Sequence, residues 1–346
     1  MSDINIRISG RAGRITLTRP KALNALSYDM CIKIEDALIA WRDDPKVDLV
    51  VIDAEGDRAF CAGGDIADLY DSGLCRDYAY GQKFWADEYR LNAMIATYPK
   101  PYIAFMQGFT MGGGVGISCH GSHRIVGESS QIAMPECGIG LVPDVGGSLL
   151  LSRAPSGVGA YLGITATRMQ ADDAIFAGFA DHFIPEHNWP NLIQKLEETG
   201  ETDQIMSLAQ PAPHGSLRAR AADLARLCDK TTLSDVIATL RADDSDLAKS
   251  VLKSIGRNSP LAMGSALRIL SKLDETATIQ DALRLEYRFT ARAVEHGDFI
   301  EGIRAAIIDK DRTPNWADTP ETLDPARVDM MTSPLDEHDL FTGEDI

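Results

Sequence analysis

The chain has 346 residues, 45% hydrophobic and 25% charged, which is enough apolar material for a large core and a second, smaller unit. Its net charge of −17 repels phosphate backbones and anionic lipid, so nucleic-acid and membrane-surface partners are disfavoured. No uncharged apolar run approaches the roughly 20 residues that a membrane span needs.

Six cysteines (Cys31, Cys61, Cys75, Cys119, Cys137 and Cys228) form no C-x-x-C pair, and at this length that points to reduced thiols in a cytoplasmic protein. The first residues carry neither an apolar h-region nor an Arg/Ser-rich transit pattern. No H-E-x-x-H motif or tight His/Cys cluster suggests a metal.

In chain order, residues 4–8 and 14–18 alternate in polarity around Gly10–Gly13, which predicts a hairpin. Ser27 is placed to cap a helix that carries Ile32, Ile34, Ala37, Leu38 and Trp41 on one face. The apolar run 47–52 predicts a buried strand. Residues 60–65 form a tight loop from which Asp65 opens a short helix through Ile66 and Leu69. Residues 78–98 have helical periodicity and stop at Pro99. A second buried strand follows at 101–106, then a small-residue helix over 112–120 and short strands at 124–126 and 131–134. Strand and helix alternate, which predicts an α/β layered core with crossover connections. Beyond about residue 190 the pattern is helical, and the stretch after Asp311 is rich in Pro, Asp and Thr. The expected division is a core at 1–208, a helical region at 209–316 and an irregular tail at 317–346, with order doubtful at its tip.

Three segments carry chemistry. In Ala59–Asp65 (AFCAGGD), Gly63 and Gly64 permit close approach of a ligand to backbone, although a plain strand-to-helix turn reads the same way. Gly112, Gly113 and Gly114 open a helix and cost it roughly 1 kcal/mol each relative to alanine. Bare N–H groups at such a terminus suit an oxyanion, and close helix–strand packing is the equal alternative. The triplet matches neither G-x-G-x-x-G nor a Walker A loop, so nucleotide phosphate is discounted. In Met134–Ser148 (MPECGIGLVPDVGGS), Pro135 and Pro143 precede Glu136 and Asp144. Carboxylates on rigid turns among apolar residues are candidates for burial, and a buried pair divides acid and base roles. No G-x-S-x-G elbow exists, so a serine hydrolase lacks its nucleophile.

In this order and spacing the pieces resemble the crotonase (enoyl-CoA hydratase/isomerase) superfamily, over roughly residues 4–190. Thr18–Ser27 (TRPKALNALS) is similar to its N-terminal signature, and the two glycine segments to its oxyanion-hole segments. The resemblance implies a ββα spiral core with a C-terminal α-helical region. It also implies that Gly64 and Gly113 hold a thioester oxygen, with Asp65 and Gly112 beside the substrate. Hydratases of the superfamily carry a glutamate just after the glycine triplet, where this chain has Gly116. Glu136 is kept, and Asp144 stands where hydratases usually have glycine. That pattern is similar to the 3-hydroxyisobutyryl-CoA hydrolases, as are Asp87–Asn92 (DEYRLN) and Phe299–Asp311 (FIEGIRAAIIDKD), which carry the match to about residue 316.

The resemblance implies hydrolysis of a short 3-hydroxyacyl-CoA in valine catabolism, with Glu88 near the acyl hydroxyl. It implies no cofactor beyond the CoA of the substrate. Glu136 is expected as base or nucleophile and Asp144 as its partner positioning water or substrate. Water attack and a covalent anhydride both fit. Arg19, Lys21 and Arg58 are candidates for the CoA phosphates. Relatives often assemble through their C-terminal helices, so a homo-oligomer stands beside a longer tail folded on its own core. The alternatives are an enoyl-CoA hydratase or isomerase working with Glu136, and a non-catalytic acyl-CoA-binding protein.

Overall fold

Nine strands, all in one of two compact units, organise the computed structural model, which describes residues 3–342. The first unit comprises the described residues up to Asp65, then Arg90–Ala133 and Arg168–Arg218. It contains β1 (Ile4–Ser9), β2 (Ala12–Leu17), β3 (Leu49–Ala54), β4 (Ala59–Cys61), β5 (Tyr102–Met106), β6 (Phe109–Met111), β7 (His123–Val126), β8 (Gln131–Ala133) and β9 (His182–Phe183). β1 and β2 pair antiparallel around the Gly10 turn, as the alternation predicted. A six-stranded sheet runs β1-β2-β3-β5-β7-β9, parallel after the first pair, and a parallel three-stranded sheet runs β4-β6-β8.

Three consecutive strand pairs therefore each give one strand to each sheet. This is the expected ββα repeat. β3 and β5 are apolar on both faces, as parallel strands buried on both sides must be. Leu49, Val51, Ile103, Phe105 and Ile125 from one face pack with Trp189, Leu192, Leu196 and Ile205 in the main core of this unit. The Trp189 indole stands at 62° to the Phe105 ring, 5.3 Å between centroids, and donates to the Ile184 carbonyl at 2.8 Å. Ser27 caps the Tyr28–Arg42 helix through the Met30 N–H, as its position predicted.

The second unit comprises Ile66–Tyr89, Met134–Thr167 and the described residues from Ala219 on. It is helical. Ser245, Ser259 and Thr278 each accept an N–H at the start of their helices, and Thr278 forms a reciprocal capping box with Asp281. The Pro260–Leu270 helix is buried on nearly every side, as a central core helix is. The Ile279–His296 helix buries Ile279, Ala282, Leu283, Glu286, Tyr287, Thr290 and Ala293 along one stripe.

Two expectations change. The helix predicted over 112–120 is only Gly113–Gly116, because successive glycines propagate a helix poorly. Within the stretch expected to be irregular, Pro325–Thr332 is a helix, started by Asp324 and Pro325 and buried through Val328 and Met331. Beyond it, three arginines at successive turns of the Ile279–His296 helix grip the chain. Arg292 donates to Ser333 and Pro334 carbonyls at 2.8 and 3.1 Å, Arg288 pairs with Asp339 at 2.7 Å, and Arg284 donates to Leu340 and Phe341 carbonyls at 3.0 and 2.9 Å. The tip doubted from composition, residues 343–346, lies outside the described residues. Among the described residues, no helix is long and apolar enough to cross a membrane.

Candidate active site

In the first unit the glycine segments sit at the ends of neighbouring strands. β4 and β6 run parallel, with Ala59 opposite Phe109 and Cys61 opposite Thr110. Each strand then enters its glycines. Gly64 forms a parallel bridge with Leu26, in which Leu26 N–H donates to Gly63 O at 2.9 Å and Asp65 N–H to Leu26 O at 2.8 Å. Those bonds leave the Gly64 N–H outside the pairing. Gly113 is the first residue of its helix, so its N–H has no intrahelical acceptor. Gly112, at φ 48° and ψ −119°, holds a backbone shape that side chains disfavour. A Cβ on Gly114 would lie 2.3 Å from the Cys61 carbonyl oxygen, so the two turns meet backbone to backbone.

Gly64 and Gly113 thus follow the ends of adjacent parallel strands, with Gly112 between β6 and Gly113. Asp65 pairs with Arg19 at 3.0 Å, and Arg19 also donates to the Ala25 carbonyl at 2.8 Å. Lys21 and Arg58 are exposed. Gly116 is buried and offers no side chain.

In the second unit, four carboxyl groups are buried near one another. Glu88 and Tyr89 lie on the apolar stripe of the Tyr78–Ala96 helix, one turn after Phe84 and Trp85. Glu136 follows Pro135 and opens a short 3-10 helix, Glu136–Ile139, ended by Gly140. That turn is held from the C-terminal region. Cys137 O accepts from Ser259 N–H at 2.9 Å, and Gly302 packs where a Cβ would lie 2.0 Å from Ile139 O. Asp144 precedes Val145 and Gly146, at φ 53° and 78°, which lead into the Gly147–Arg153 helix. A β-branched residue at positive φ costs on the order of 1–3 kcal/mol and persists only where its surroundings fix it.

The Tyr89 hydroxyl donates to Asp144 Oδ2 at 2.8 Å. Glu286 accepts from Gly146 N–H at 2.8 Å, Ser148 N–H at 3.0 Å and the Ser148 hydroxyl. Burial pushes Glu88 up to about 8, with the Asp144 charge adding to it. Burial likewise raises Asp144 to about 7, against the Tyr89 hydrogen bond that favours its ionised form. Glu286 rises to about 8 by burial, opposed by its donors from Ser148 and Gly146. Glu136 is pushed well above the carboxylate range by burial, then by Asp144, Glu286 and Glu88. Glu88 Oε1 and Glu136 Oε2 are buried with no hydrogen-bond partner among the described residues. An unmade bond of this kind costs about 1–3 kcal/mol, and a substrate hydroxyl or water can supply it.

The structure therefore gathers Glu88, Glu136 and Asp144 as one acidic group. It adds Tyr89, Ser148, Glu286 and Thr290, which motif reading passed over. Periodicity holds the missing signal for Glu286, a carboxylate at an apolar-stripe position between Leu283 and Tyr287. Nothing in the sequence pairs Tyr89 with Asp144, since that bond joins residues 55 apart.

The Enoyl-CoA hydratase/isomerase family model matches residues 12–333. The mitochondrial 3-hydroxyisobutyryl-CoA hydrolase of Xenopus tropicalis is 38% identical over 336 residues, covering 94% of this chain and 86% of that protein. A crystal structure described as an enoyl-CoA hydratase from Rhodobacter sphaeroides 2.4.1 is 54% identical, with a TM-score of 0.93 over 98% of this chain and 99% of that one. Another, described as a carnitinyl-CoA dehydratase from Mycobacterium thermoresistibile, is 36% identical with a TM-score of 0.94, covering 99% and 100%. Strand pairs shared between two sheets, paired glycine turns and a match of this extent agree: the chain belongs to the enoyl-CoA hydratase/isomerase family.

Proposed function

We propose that this protein is an acyl-CoA thioester hydrolase that converts 3-hydroxyisobutyryl-CoA and water to 3-hydroxyisobutyrate and CoA. The observation that carries the reading is a second carboxyl group, Asp144, buried with Glu136, while position 116 is glycine. A hydratase uses its glutamate at that first place, so this chain has lost one acid and gained another. Relatives named as 3-hydroxyisobutyryl-CoA hydrolases, 38% identical in the Xenopus case, support the same substrate class.

In this reading the Gly64 and Gly113 N–H groups hold the thioester oxygen, each worth about 2.7–4 kcal/mol in the transition state. Burial raises both Glu136 and Asp144 above the ordinary carboxylate range, so the pair can divide acid and base roles. The ionised member takes a proton from attacking water, or attacks first to give an anhydride that water opens. The other supplies a proton to the leaving thiolate. Glu88, with its unpartnered buried oxygen, receives the 3-hydroxyl group. Water is the only co-reactant and no resident cofactor takes part. Exposed Lys21 and Arg58 are offered for the CoA phosphates. Six free thiols, five of them buried, support a reducing compartment such as the cytoplasm, whereas the Xenopus relative is named as mitochondrial.

The test measures CoA release from 3-hydroxyisobutyryl-CoA by mass spectrometry, with crotonyl-CoA loss followed in parallel. Glu136→Gln and Asp144→Asn should each lower release by about 10²-fold or more, with little change in CoA binding. Near-wild-type release in either variant removes that residue from the mechanism. Hydration of crotonyl-CoA without thioester cleavage would favour the second reading, an enoyl-CoA hydratase, which is how the Rhodobacter structure is described.

A further inference from the structure

We infer that Glu286 is a positioning residue, whose carboxylate clamps the turn after Asp144 and thereby fixes the direction of the Asp144 carboxyl group. The inference rests on the hydrolase reading for its kinetic consequence, but its geometry stands by itself. All three donors to Glu286 come from one short segment. Oε2 accepts from Gly146 N–H at 2.8 Å, and Oε1 accepts from Ser148 N–H at 3.0 Å and from the Ser148 hydroxyl. These groups lie two and four residues beyond Asp144.

Between Asp144 and the clamp sits Val145 at φ 53°, a conformation its branched side chain resists. An isolated turn of this sequence would relax away from it. The amides on its far side are tied to the Ile279–His296 helix, so it cannot. The same helix reaches Asp144 a second way. Thr290, one turn after Glu286, lies 3.4 Å from the Tyr89 hydroxyl that donates to Asp144 Oδ2. One helix stripe thus sets both the backbone and the hydrogen-bond partner of the candidate catalytic acid.

All three contacts donate to Glu286 and so favour its ionised form against burial, and an ionised carboxylate suits this place better than an amide. Three donors need two acceptor oxygens, and glutamine has one. Glu286→Gln keeps an acceptor for Ser148 and turns an NH2 group toward the Gly146 N–H. Glu286→Ala removes the clamp altogether. Glycine at position 145 adopts positive φ without strain, so Val145→Gly added to Glu286→Ala lets the turn keep its shape unaided.

The experiment measures kcat and KM for thioester cleavage, with crystal structures, for Glu286→Gln, Glu286→Ala and Glu286→Ala/Val145→Gly. A misplacement of about 1 Å costs about 10²-fold, so kcat should fall about 100-fold in Glu286→Ala and about 10-fold in Glu286→Gln, with KM within about threefold. The double variant should regain at least about fivefold of the kcat lost by Glu286→Ala, with Asp144 again bonded to Tyr89. A folded Glu286→Ala protein with wild-type kcat, or a double variant with no recovery, would overturn the assignment. If Glu286→Ala does not fold, Glu286→Gln decides on the same kinetic readouts. If the wild-type protein cleaves no thioester, the hydrolase reading fails and the crystal structures still judge the clamp. Asp144 unmoved in Glu286→Ala would then reject it, and Asp144 parted from Tyr89 would uphold it.

Discussion

Glu88, Asp144 and Glu286 hold protons to higher pH than solvated carboxylates do, because burial penalises their charged forms, an effect that the Ser148 and Gly146 donors oppose at Glu286. Their folded-state values, about 8, 7 and 8, lie above the unfolded ones. The native protein therefore binds more protons than the unfolded chain between the ordinary carboxylate range and about pH 8. The stability these groups contribute is complete below their unfolded values and is lost as pH rises through 7 to 8. Melting temperature should fall from pH 5.5 to 8.5, and Glu88→Gln, which cannot ionise, should flatten that slope; an unchanged slope would remove Glu88 from the coupled group. Glu136 and Asp144 were legible because prolines and apolar neighbours marked them as rigid and buried. Tyr89 was not, because its role exists only through a partner remote in sequence. Glu286 lies between these cases, its position readable from the stripe and its purpose only from the turn it binds.

At the scale of elements, the glycine segments were legible but the strands that carry them were not: residues 60–65 read as a tight loop and 109–111 had no assignment, whereas β4 and β6 are short strands whose adjacency is a property of the sheet. Gly114 shows why the motif needs glycine. Alanine there would gain about 1 kcal/mol of helix propensity. Its Cβ would also sit 2.3 Å from the Cys61 carbonyl oxygen, which is backbone and cannot turn aside. Gly114→Ala should therefore lower both melting temperature and CoA release; a melting temperature that rises would mean the turns are free to separate. The helix start at Ser27 was legible because a side chain does the capping, whereas the helix read from Asp65 begins at Ala67 with no side-chain cap. The Phe299–Asp311 match acquires a physical reason as well. Gly302 admits its helix to the Ile139 carbonyl, supporting the turn that carries Glu136. Sequence spacing could give the match but not that contact.

For the whole molecule, the strand–helix alternation was enough to anticipate an α/β layered core and the later helices, while the paired strands of the double sheet were implied only by the family resemblance. Each unit draws on three separated stretches of chain, and no composition change marks those exchanges. The last described residues were the least legible, since Pro, Asp and Thr look the same whether free or held by a remote arginine. Arg288→Ala should release the segment around Asp339, with which Arg288 pairs at 2.7 Å, so limited proteolysis should cut there sooner than in the wild type. Equal cutting rates would mean that Arg284 and Arg292 suffice.

The three arginines have another consequence. They point the same way at one-turn intervals, and the terminal segment neutralises or covers each of them. A chain shortened before Ser333 would strip Arg288 and Arg292 of these partners, while Arg284 keeps its pair with Asp281 at 3.0 Å. Loss of the last residues would announce itself by earlier elution from an anion-exchange resin, since Asp336, Glu337, Asp339, Glu344 and Asp345 leave together and Arg288 loses its counter-charge.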